Sequence, residues 1–172
     1  MSDFALAIVA YWLLKSVQNE VSLREETKKD MKKIEQSKFK RLLGVWKTSG
    51  NDSSDDESLE LRGIDSYELI LDSNYILHKA AVEIGGEGSE TFEVIKLGNS
   101  YEEAEMYYFN NKGEDGKMMG SVRNNTFKIE GKDLKFNGTI AEDDTTIIGK
   151  WYRLTENKKW VTFIDLRLEK IK

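Results

Sequence analysis

The residues able to do chemistry are few in this chain. Cysteine is absent, which excludes thiol nucleophiles, thiolate metal sites and disulfides. A single histidine, His78, leaves few routes to zinc binding or to base catalysis by imidazole. Asp165 and Arg167 share one face of the last predicted strand. Glu68, Glu93 or Glu105 can join them inside a closed sheet, where apolar surroundings favour the protonated acid. No spacing among these residues identifies a nucleophile, a metal site or a phosphate loop. Asp143-Asp144 and the acidic stretch 51–58 lack the glycine-centred pattern of an EF-hand. Gly85-Gly86-Glu87-Gly88 opens no helix and reads as a hairpin turn rather than a phosphate cradle. The sequence therefore points away from an enzyme and assigns no catalytic or metal-binding residue.

Composition narrows the class further. With 172 residues, 39% hydrophobic and 33% charged, the chain suits one globular domain with an appendage. Its net charge of −5 argues against a general nucleic-acid binder, because phosphate contact needs a positive surface. Proline is absent, so turns must be made by the 13 glycines together with Asn and Asp.

The elements that would position a site divide near Leu43. Residues 1–42 contain no glycine and read as an N-terminal α-helical arm. Phe4 to Leu14 is an uninterrupted apolar run, capped by Asp3, and Ser22-Leu23-Arg24-Glu25 reads as a capping box. The flank Ser2-Asp3 is not that of a secretory signal, and the run falls short of the roughly 20 residues that span a bilayer. Cytoplasm is the expected compartment. The greasy face of residues 4–22, with the basic stretch Arg24 to Arg41 behind it, suits homo-oligomerisation or contact with an anionic membrane surface. The bland alternative is packing within the chain beside a solvated face, since Glu25, Glu26, Asp30 and Glu35 interleave with the lysines.

From residue 43 to 172 the period changes. Runs rich in Ile, Val, Tyr, Phe and Thr predict strands near 44–49, 59–71, 75–84, 90–97, 104–110, 117–123, 126–130, 134–141, 146–154 and 160–169. The links between them are mostly too short for parallel crossovers, so neighbours must run antiparallel. Such a ribbon has two exposed edges unless it closes. The expected fold is mainly β: an antiparallel up-and-down β-barrel of about ten strands, with a two-sheet sandwich as the alternative.

Closure would make the first and last strands neighbours and bring Arg167 beside Trp46, where a guanidinium can stack on the indole. Gly44-Val45-Trp46 at the start of the first strand, with Arg167 on the last, resembles the lipocalin and fatty-acid-binding-protein superfamily. More closely, residues 44–172 resemble the bacterial lipocalin-like (calycin-type) domains of unknown function. That resemblance is carried by Ser66 to Asp72, Tyr107-Tyr108-Phe109, Gly149-Lys150-Trp151 and the strand from Trp160. It implies a cavity for a small, often apolar molecule. The long arm and the acidic loop after the first strand depart from the pattern.

Candidate liners of such a cavity are Tyr67, His78, Met106, Tyr108, Met118, Phe127 and Trp151. Gly44, Trp46 and Arg167 are the structural signature. Some barrels of this kind coordinate heme iron through a histidine, and His78 is the one imidazole available. Nothing around it resembles a heme motif, and the expectation is a small hydrophobic ligand with no cofactor.

Overall fold

The computed structural model describes residues 14–18, 32–53 and 58–172, and the chain divides into two units, 1–31 and 32–172. In the first unit, residues 14–18 are helical. The rest of the apolar run, Asp3 and the capping box lie outside the described residues, and so do positions 54–57 of the acidic loop. No helix among the described residues is long and apolar enough to cross a membrane.

The second unit is a closed, antiparallel, ten-stranded barrel. Its strands are β1 (Gly44–Asp52), β2 (Leu59–Ile70), β3 (Tyr75–Ile84), β4 (Glu87–Leu97), β5 (Glu103–Asn110), β6 (Asp115–Arg123), β7 (Thr126–Glu130), β8 (Leu134–Ile140), β9 (Thr146–Leu154) and β10 (Trp160–Lys170). Each strand pairs with its sequence neighbours, and β1 closes on β10 from Trp46↔Lys170 to Asp52↔Ile164. Closure removes both sheet edges, so a sandwich does not form.

Alternation sorts the side chains. On β3, for example, Ile76 and His78 are buried while Lys79 and Ala81, on the alternate positions beyond them, are exposed. Interior rings lie flat against glycines in the wall. A Cβ at Gly116 would fall 2.8 Å from the Tyr108 ring, and one at Gly149 would fall 2.4 Å from the Phe136 ring. The wall is thin where the aromatics lie upon it.

The barrel unit starts before β1. Two 3-10 segments, Ile34–Gln36 and Lys38–Leu42, belong to it, although the sequence places these residues in a helical arm. Ile34, Phe39 and Leu42 are fully buried in the same core as Trp46, Ile76, Ile95 and Met106. They plug one end of the barrel. Their polar atoms tie down the four turns there. Ile34 N donates to Ser73 O at 3.0 Å and Lys38 N donates to Tyr101 O at 3.0 Å. Arg41 donates to Asp144 Oδ1 at 2.5 Å, Asn124 O at 2.6 Å and Ala141 O at 2.8 Å, joining the β6–β7 and β8–β9 turns.

The signature residues are corrected in one respect. Trp46 is fully buried, with its indole N–H donated to Leu42 O at 2.7 Å. The cation over its ring is Lys170, with Nζ 4.6 Å from the centroid, rather than Arg167. The β1–β10 register explains this, because Lys170 lies opposite Trp46 while Arg167 lies opposite Ser49. Three residues along a strand change the face, so Arg167 points outward and bonds Glu169. Gly44 has φ +124, and a Cβ there would meet Lys172 O at 2.4 Å, so the glycine is required where the C-terminus crosses β1.

Because Arg41 makes several charge-assisted bonds to two turns, Arg41→Ala should lower unfolding free energy by about 2–3 kcal/mol. Lysine should not restore it, since one ammonium cannot reproduce the planar fork. Urea denaturation midpoints of the three proteins check both expectations.

Candidate functional site

The interior carries one row of polar side chains. Register aligns Tyr67 on β2 with His78 on β3, His78 with Glu93 on β4, Glu93 with Tyr108 on β5, and Tyr108 with Gly116 on β6. The row on the plug side of it is apolar: Leu69, Ile76, Ile95, Met106 and Met118. The row on the other side is made of small or polar residues: Asp65, Ala80, Thr91 and Asn110. His78 therefore stands directly above a dry floor.

Its ring is held on three sides. Nδ1 lies 2.7 Å from Glu93 Oε2, Nε2 lies 2.8 Å from Asp65 Oδ1, and Tyr67 stacks on the imidazole at 4.0 Å and 5°. The other Asp65 oxygen, Oδ2, accepts a short hydrogen bond from Thr48 Oγ1 on β1. Asp65, His78 and Glu93 are 6%, 8% and 5% exposed, so the network is shielded from bulk water.

Burial is the largest single influence on His78 and disfavours its charged form. The hydrogen bonds and charges of Asp65 and Glu93 together outweigh it and raise the pKa from 6.5 to about 9. Burial, then the charges of Asp65 and Glu93, pushes the Tyr67 phenol well above its ordinary value, so it remains a donor. Both imidazole nitrogens face carboxylate oxygens. Neither offers a lone pair to the lumen, and iron ligation by His78 would first have to displace a carboxylate.

The seven residues expected to line a cavity all lie on inward-facing positions. Tyr67, His78 and Tyr108 share the polar row, and Met106 and Met118 form part of the floor. Phe127 and Trp151 lie across the lumen, both packed on Phe136, with centroids 5.5 and 5.4 Å from its ring. Of the carboxylates considered as internal acids, Glu93 is inside. Glu68, Glu105 and Asp165 face outward and pair with Lys79, Lys117 and Lys150. Outward alternation on their strands explains this, and the Asp165–Arg167 face is the outer one. Thr48 and Asp65 escaped the sequence reading. Alternation back from Tyr67 puts Asp65 on its face, and alternation on from Trp46 does the same for Thr48. That was the available signal.

No family model matches the sequence, and no curated protein matches it. Among solved structures, the chain is similar to the crystal structure of Rv2717c from M. tuberculosis. The two share 10% identity with a TM-score of 0.61, over 77% of this chain and 94% of that one. The likeness establishes the fold. At that identity it says nothing about the polar row.

The network sets a pH dependence. A pKa raised on folding adds stability that is complete below about 6.5 and is lost as pH rises through about 9. Shifting a group by that interval corresponds to about 3 kcal/mol. The melting temperature of the wild type should therefore fall relative to that of His78→Gln between those limits, as followed by circular dichroism.

Proposed function

We propose that the barrel is a non-catalytic binding protein that holds a small, mainly apolar molecule in its lumen. The supporting observation is partial exposure of side chains that point inward. Tyr108, Trp151 and Leu166 project into the barrel and pack on its core, yet they are not fully buried. The inward Ala80 and Thr91, beside the polar row, are also partly exposed. A lumen filled by its own side chains would bury all five.

The wall glycines contribute to the same end. Tyr108 lies against Gly116 and is only partly buried, while Phe136 lies against Gly149 and backs Trp151. Tyr108, Trp151 and Leu166 make the lumen surface apolar over the buried Phe127 and Phe136, while Thr48, Asp65, His78 and Glu93 supply a compact polar patch on β1–β4. Mostly apolar walls with a few convergent polar groups are the usual composition of a small-molecule site. The lipocalin-like resemblance of residues 44–172 leads to the same kind of ligand.

An uncharged fluorescent apolar probe such as N-phenyl-1-naphthylamine should bind saturably, one per barrel, and quench Trp151. Ala80→Phe, which places a ring over His78, should weaken that binding about tenfold or more. Unsaturable binding, or binding unchanged by Ala80→Phe, overturns the reading.

A further inference from the structure

The polar row has a charge that the protein itself does not neutralise. Each imidazole nitrogen of His78 faces a carboxylate, and a carboxylate oxygen accepts. Two such contacts need two protons. Both can sit on the ring, giving an imidazolium between two carboxylates. Alternatively one sits on the ring and the other on a carboxyl group. With Asp65 Oδ2 accepting from Thr48 and Glu93 Oε1 carrying no proton, the sum is −1 in either arrangement. Removing a proton would set a nitrogen lone pair against a carboxylate oxygen and raise the charge to −2.

No lysine or arginine among the described residues forms an ion pair with Asp65 or Glu93, whose charged partner is His78 alone. The nearest strand neighbours offer none. Lys170 is engaged with the Trp46 ring and with Arg41 O, at the plug. A buried charge without a counterion is costly unless something else supplies one.

Two polar atoms of the same row are also without protein partners. Among the described residues, Tyr67 Oη and Glu93 Oε1 make no hydrogen bond. The sealed polar atom that lacks a partner is Asn74 Oδ1, so Tyr67 Oη and Glu93 Oε1 both retain contact with accessible space. Tyr67 and Glu93 are themselves 6% and 5% exposed, and the inward positions next to them in the direction away from the plug are Asp65, Ala80 and Thr91. Tyr108 lies beside Glu93 on the adjacent strand and, like the inward Trp151 of β9, is partly exposed, and aromatic faces favour a cation.

We propose that the lumen selects an amphiphile with a protonated amine at one end, its ammonium received by Glu93 Oε1 beside the net negative row and its apolar body lying against Tyr108, Trp151 and Leu166. This rests on the lumen being a binding site and specifies what it binds. An ammonium neutralises the row and donates to Glu93. A carboxylate head would bring a second negative charge to carboxylates that, among the described residues, no lysine or arginine pairs. An alcohol would satisfy a hydrogen bond but leave the charge.

Binding of n-octylamine, n-octanol and n-octanoate at neutral pH separates these cases, because the three share one chain and differ in head charge. Isothermal titration of the wild type should rank octylamine above octanol by roughly tenfold, the contribution of one charge-assisted hydrogen bond. Octanoate should rank below octanol. Glu93→Gln, which keeps an acceptor for His78 but removes the charge, should bring octylamine and octanol to parity while octanol affinity holds. Asp65→Asn, also charge-removing, serves as the second variant where Glu93→Gln does not fold, and should narrow the gap in the same direction. Equal affinity for octylamine and octanol, or a preference for octanoate, overturns the proposal and leaves the lumen as a binding site. If none of the three binds, the lumen reading itself fails and the amine preference with it.

Discussion

Closure of β1 on β10 is the constraint from which the rest of the molecule follows. Once Trp46 to Asp52 pair with Lys170 to Ile164, every strand has two neighbours and every second residue must point inward. The chain then has no freedom to turn a polar side chain outward without turning its whole strand. Asp65, His78 and Glu93 are on inward positions of three adjacent strands, so they must solve their solvation together. The imidazole is the bridge that lets two carboxylates stay buried side by side. Thr48 on the closing strand completes the set, which ties the polar network to the same pairing that seals the sheet.

That arrangement is not an economical way to stabilise a barrel. Burying an ion pair gives back much of its Coulomb attraction as lost hydration, and an apolar replacement of similar volume is often as stable or more so. The neighbouring row, with Ile76, Ile95 and Met106, shows that this barrel can be filled by hydrocarbon at the adjacent level. The polar row is therefore not required to fill the barrel, which accords with the binding role proposed for it. The stacking of Tyr67 on His78 holds the ring plane in which both carboxylate contacts are made.

Much of the fold was legible because turn chemistry is dense in the β region. Asp72-Ser73-Asn74, Gly85-Gly86, Asn111-Lys112-Gly113 and Asn124-Asn125 mark hairpins that the structure contains, and the ten strands fall where their alternating runs lie. What the sequence could not supply was register. Trp46 was readable as a core residue, but its partner depended on whether Lys170 or Arg167 lay opposite, a matter of three positions. Residues 32–42 were misread for a related reason. Their charged and apolar spacing fits a helix, while hydrogen bonds to the Ser73 and Tyr101 carbonyls, distant in sequence, hold them as 3-10 turns. His78 was visible as a lone imidazole, but its meaning came from Asp65 and Glu93, which only strand pairing brings to it.

The plug has a consequence for traffic. Ile34, Phe39, Leu42 and Trp46 are wholly excluded from solvent, and Arg41 fastens two of the turns around them. The barrel is thus a cup and not a conduit. On the proposed reading, whatever enters must leave by the way it came, with its leading end against the carboxylates and its tail nearest the mouth. A protein that took cargo from this one would meet the tail first, and would have to recognise the molecule by its least distinctive part.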